Sequence, residues 1–227
     1  MTLKNMSLTT PNTAKLVDQI RSEIKHYFSD EMHDYSHCIE HTDRVVKAAQ
    51  YICKKEKGDY LVASLAALLH DIARSMEDKG LCIDHAEKGS ELALDILKKH
   101  KISSEISDQI TYCIRNHRSN SRGSTLESKI LKDADKLDAL GAICISRVIA
   151  SSLQSNQYYR PIFDSKIPFE KGSETRSAIH YIILIIEKYN NGNYFFTKTA
   201  HKLAKNRILL MENFVSQFKK EWFCKFK

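Results

Sequence analysis

The sequence predicts an all-α protein built as one helical bundle. Three observations carry this. Only 7 Gly and 3 Pro occur in 227 residues, too few breakers for the many turns of an all-β fold. Apolar residues recur at helical spacing along most of the chain. Residues suited to starting a helix stand just ahead of several of those stretches.

The elements follow in order. Ala14, Leu16, Val17, Ile20, Ile24, Tyr27 and Phe28 mark a helix over about 13–29. Residues 30–36 are polar and turn-like, and a second helix covers 38–56. A third is predicted over 59–74, where VASLAALL is apolar all round, the pattern of a central buried helix. MEDKG breaks the periodicity. Asp84 with Glu87 three residues later forms an amino-terminal cap for a helix to about 99. Ser103 or Ser104 starts another to about 117, and NHRSNSRGST is a loop. Helices follow at 125–139 and 141–154. The stretch 155–172 is irregular and holds two prolines; Tyr158, Tyr159 and Phe163 there are read as loop packing. A helix over 173–190 ends at NNGN, and a long last helix runs from 195 to 222. Residues 1–30 read as an amino-terminal helical extension packing as one unit with a domain over 31–227.

The formal net charge of +7 attracts anions such as phosphorylated metabolites. A nucleic-acid grip is not supported, because no tract of five basic residues or aromatic-glycine repeat occurs. Cys38, Cys53, Cys82, Cys113, Cys144 and Cys224 are scattered, with no CxxC pair. With a polar amino-terminal stretch and no apolar run of membrane-spanning length, this reads as a reduced, cytoplasmic setting without a disulfide framework.

The informative step is to place polar residues on helix faces, where positions i, i+4, i+7 and i+11 coincide. His41 shares a face with Val45, Ala48 and Ile52; His70 with Val62, Ala66 and Ala73. Asp71 follows Ala63 and Ala67, His117 follows Ile106, Ile110 and Cys113, and Asp135 follows Leu131. Titratable residues thus recur at core positions in several separate segments. A buried polar group without a partner costs roughly 1–3 kcal/mol, and an unpaired carboxylate more. A shared divalent cation would offset these costs together, and imidazole with carboxylate suits Zn, Fe, Mn or Co. His85, at the first helical position after Asp84, is disfavoured as imidazolium by the helix dipole and fits a ligand role.

These residues resemble the HD-domain metal-dependent phosphohydrolases, in the small single-domain branch. The resemblance rests on SHCIEHTDRVVKAA around His41, LAALLHDIAR around His70 and Asp71, and LKDADKLDALGA around Asp135. DHAEKGSELALDIL around His85 and IRNHRS around His117 are similar to the two additional histidines of members with two metals. TKTAHKLAKNRILLMENFVSQFKKEW is similar to the closing helix of that branch. The resemblance implies a helical bundle of the HD-domain type. It implies one or two divalent ions (Mn, Co, Ni, Fe, Zn or Mg), the first held by His41, His70, Asp71 and Asp135, with Asp71 bridging to a second held by His85 and His117. Asp133 or Asp138 could orient ligand histidines.

The expected chemistry is hydrolysis of a small phosphate ester, a nucleotide first, by metal-activated water. Asp71, His85 and His117 would carry it, with Arg118 and Lys136 as phosphate contacts. No glycine-rich phosphate loop and no G-x-S-x-G motif offers another route. The rivals are a di-iron oxygenase of the same fold, a catalytically silent metal- or nucleotide-binding domain, and a basic helical nucleic-acid binder. The exact substrate, native metal and oligomeric state stay open.

Overall fold

The structure, a computed structural model, describes residues 10–28, 38–118, 123–154, 160–174, 176–192 and 194–225. Among them there is no strand. The helices are α1 (Thr10–Ile24), extended by a 3-10 turn (Lys25–Phe28), α2 (Ile39–Glu56), α3 (Tyr60–Leu69), α4 (Arg74–Asp78) and α5 (His85–Lys99). They continue as α6 (Ser104–Arg115), α7 (Leu126–Asp138), α8 (Gly141–Gln154), α9 (Ala178–Asn190) and α10 (Lys198–Trp222). No described helix is long and apolar enough to cross a membrane. All six cysteines are free thiols. The chain divides into two compact units, with the boundary inside α7, between Asp135 and Lys136.

In the first unit α3 is the central element, touching α1, α2, α5 and α6. Every residue from Val62 to Leu69 is buried. Each buried Leu or Val there contributes about 1.5–3 kcal/mol relative to exposure. Ser64, the polar member, donates its hydroxyl to Tyr60 O at 2.6 Å. Asp59 caps the helix by accepting from the Leu61 and Val62 amides. Thr13, Val17, Ile20 and Ile24 form the buried stripe of α1.

The turn between α2 and α3 departs from a common glycine pattern. The left-handed residue after α2 is Lys57, at φ 62°, not Gly58. Gly58 answers a demand for space instead. A Cβ there would stand 3.0 Å from Ile130 Cδ1, 3.1 Å from Glu127 Oε1 and 3.3 Å from Cys53 Sγ. Glu127 Oε1 also accepts from the Asp59 amide at 2.8 Å, which draws this turn onto α7.

In the second unit α10 packs on α8 and α9, burying Ala200, Ala204, Ile208 and Met211 along one stripe. Gly141 starts α8 at φ 78°, and its amide faces Met211 Sδ at 3.1 Å. Phe163 is buried against His180, Phe169 and Trp222, the loop packing expected for it. Tyr158 and Tyr159 lie outside the described residues.

Three predicted boundaries are corrected. The helix expected over 59–74 ends at Leu69, because three-residue bonds take over: Ile72 N to Leu69 O and Arg74 N to Asp71 O. MEDKG is not simply a break, since its first three residues complete α4. The helix expected from 173 begins at Ala178, where Ser177 caps it and the first two amides donate to Pro161 O and Ile162 O.

Candidate metal centre

The end of α3 determines what faces the centre. On a continuous helix neighbouring residues point about 100° apart. His70 keeps helical φ and ψ at the end of α3, and its Nε2 lies 3.4 Å from Asp71 Oδ2 in the turn that follows. α2 supplies His41, whose Nε2 lies 3.8 Å from the same oxygen. The other carboxylate oxygen, Oδ1, faces His85 Nε2 at 3.4 Å and His117 Nε2 at 3.5 Å. His85 is the first residue of α5, and His117 lies two residues past the end of α6. One carboxylate therefore meets four imidazole nitrogens, two on each oxygen.

The far side of three of these rings fixes the tautomer each takes when neutral. His70 Nδ1 donates to Ala67 O at 2.8 Å, and His117 Nδ1 donates to Ile114 O at 2.7 Å. His85 Nδ1 donates to Glu77 Oε2 at 2.7 Å. These partners only accept, so each Nδ1 carries a proton and each neutral ring keeps a lone pair on Nε2. Asp71 is likewise acceptor-only when ionised. Lone pairs thus converge on lone pairs in a buried place, with His70 Nε2 making no well-formed hydrogen bond. A proton on a ring or a cation among them relieves this crowding, and neutral imidazole with carboxylate is a ligand set for a divalent transition ion.

His41, His70 and Asp71 offer donor atoms within 4.8 Å of one another, and so do Asp71, His85 and His117. Asp71 is common to both groups. Asp135 stands beside the first: its Oδ1 is 3.4 Å from His41 Nε2. Its side chain is 36% exposed, which corrects the expectation of a core position.

The electrostatics follow from this crowding. Burial disfavours imidazolium at His70, but the Asp71 carboxylate outweighs it and pushes the ring up to about 9. Burial likewise opposes a charge on Asp71, yet the surrounding imidazoles hold its carboxyl well below the usual range. His85 is raised, with burial again outweighed by Asp71.

The remaining candidates are placed differently. Arg118 Nη1 donates to Glu77 Oε2 at 3.0 Å and lies 3.4 Å from Asp84 Oδ1, with its side chain about a third exposed. Lys136, in the second unit, donates to Tyr194 O at 2.6 Å and lies over the Tyr194 and Phe196 rings. Asp138 is engaged by Arg147 at 2.7 Å. Asp133 is buried. The sequence reading passed over Glu77. Its neighbours carry no helical pattern, and the only available signal was a carboxylate eight residues before a candidate ligand.

The family model of the HD domain matches residues 38–140. A predicted HD superfamily hydrolase from an uncultured Thermotogales bacterium is 32% identical, superposes with a TM-score of 0.65, and the alignment covers 90% of this chain and 92% of that one. An HD-superfamily hydrolase from Bacillus thuringiensis is 29% identical at a TM-score of 0.71, over 92% of this chain and 98% of that one. The Bacillus subtilis protein YpgQ is 28% identical over 214 residues, 91% of this chain and 94% of its own. One crystal structure of YpgQ is a complex with ADP.

Proposed function

This chain belongs to the HD superfamily, and from that premise we propose that it is a metal-dependent phosphohydrolase acting on a small phosphate ester, a nucleotide by preference. The observation that carries the reading is Asp71, one buried carboxylate whose two oxygens each face two histidine nitrogens. His41, His70, Asp71 and Asp135 would hold one divalent ion, and Asp71, His85 and His117 a second. Such an ion activates water near neutral pH and offsets the charge on phosphate oxygens.

The chain's own residues do the rest. His70 and His117 present Nε2 because backbone carbonyls hold their Nδ1 protons. Asp135, partly exposed, could reach a ligand bound from solvent beside His41. Arg118, also partly exposed, offers a guanidinium to a phosphate that competes with Glu77 and Asp84 for it. Lys136, which adjoins Asp135 in sequence, would be a second phosphate contact. The ADP bound by YpgQ supports a nucleotide.

The test is a panel of nucleotides and other phosphomonoesters and diesters, run in parallel with Mn, Co, Ni, Mg, Fe and Zn. Phosphate or nucleoside release that depends on metal and vanishes in Asp71→Ala is the expected result. Metal-loaded, folded protein inert on the whole panel sinks the reading. Oxygen consumption by a coloured iron form would replace it with oxidation chemistry.

A further inference from the structure

Glu77 occupies an unusual position beside this centre. The rings of His70 and His117 are each anchored by a carbonyl three residues earlier in their own segment. His85 begins its helix, and its Nδ1 turns to a side chain from α4 instead. Glu77 Oε2 accepts from His85 twice, at 2.6 Å from the backbone amide and 2.7 Å from Nδ1. The same oxygen accepts from Arg118 Nη1 at 3.0 Å. Asp84 meanwhile accepts from the next two amides of α5. The start of α5 is thus held by two carboxylates from outside the helix, and one of them also orients the ring.

We propose that Glu77 is the positioning residue for His85: by binding its amide and Nδ1 at one oxygen, it keeps Nε2 turned toward Asp71 and His117. Arg118 holds Glu77 in turn, since a guanidinium on the shared oxygen fixes the carboxylate in place. The proposal rests on the metal reading of the centre for its consequence, though not for its geometry. A carboxylate on the outer nitrogen of a ligand histidine sets its tautomer and raises its basicity, and losing it typically weakens metal binding about 10–100-fold.

The experiment compares wild type with Glu77→Ala and Glu77→Gln, each checked for native helicity and melting. The glutamine carbonyl can still accept both His85 bonds, but it carries no charge to hold the Arg118 guanidinium. The first readout is the pair of His85 ring nitrogen shifts in metal-free protein, from long-range proton–nitrogen correlation spectra assigned with His85→Gln. The second is manganese affinity by calorimetry. The expected result is a changed Nδ1 environment and roughly 10–100-fold weaker manganese binding in Glu77→Ala, with both largely rescued in Glu77→Gln. Wild-type shifts and wild-type affinity in Glu77→Ala overturn the proposal. If wild type takes up no manganese, the metal reading fails separately, and the ring shifts still decide whether Glu77 positions His85.

Discussion

His85 Nε2 and His117 Nε2 lie 3.2 Å apart, although the outer nitrogen of each ring already gives its proton to a fixed acceptor. Two neutral rings so oriented present lone pairs to each other at hydrogen-bond distance. The arrangement is satisfied by a proton on one of them or by a cation near both. Protons and metal therefore compete for the same nitrogens.

This competition gives a pH dependence with a definite sign. In metal-free protein His70 is raised from 6.5 to about 9 by the Asp71 carboxylate against the opposing effect of burial. A raised imidazole stabilises the fold fully below its unfolded value and loses that contribution as pH climbs through the folded one. Metal-stripped protein should therefore melt at progressively lower temperature between pH 6.5 and about 9. Metal affinity should rise over the same window, because fewer protons must leave. The gap in Tm between loaded and stripped protein widens accordingly, and calorimetry in buffers of different ionisation enthalpy should register proton release. A constant gap across that window contradicts the assignment.

Asp71→Asn separates charge from shape. The amide fills the same volume but removes the negative charge that both donor groups share. Elemental analysis after equilibration with manganese and dialysis should find most of the bound metal gone. In the same variant His70 loses the carboxylate that raises it, while burial remains to disfavour its charge. The melting loss between pH 6.5 and about 9 should flatten. Retention of wild-type metal content would remove Asp71 from the centre.

Much of this centre was legible because burial leaves a pattern. His41, His70, Asp71 and His117 stood on apolar stripes, and the structure buries all four. Asp84 announced the start of α5, and α5 begins at His85. Other features had no local signature. Nothing in an unbroken apolar run marks Leu69 as the last residue of α3, because the turn after it is held by bonds that His70 and Asp71 themselves help to set. Asp135 shares its stripe with buried Leu131, yet it is partly exposed, since periodicity gives a face and not a depth. Glu77 serves a residue on the next helix, a relation that only the folded loop between α4 and α5 creates.

Asp138 offers a contrast to Asp135 within one short motif. Arg147 Nη1 contacts both its carboxylate at 2.7 Å and its carbonyl oxygen, and both side chains are largely buried. Asp138→Ala removes the carboxylate from a largely buried guanidinium, a loss of about 1–3 kcal/mol. The damage should appear in Tm while metal content per folded chain stays at the wild-type level. Loss of metal without loss of stability would instead give Asp138 the orienting role.

Lys57 and Gly58 should respond in opposite directions to exchanges that look equivalent. Lys57 pays the left-handed cost at φ 62°, and its side chain is exposed. Lys57→Gly relieves that cost and gives back part of the gain through the freer unfolded chain, for a net stabilisation of about 0.5–1 kcal/mol. Gly58→Ala places a methyl group against Ile130 and Glu127. Glu127 cannot withdraw without loosening its bond to the Asp59 amide, which also starts the cap of α3. That substitution should cost about 1–3 kcal/mol, lowering Tm by roughly 2–4 °C for each kcal/mol in a chain of this size. Thermal melts of the two single variants decide the matter. Equal and small effects of both would mean that the turn yields freely and that its grip on α7 contributes little.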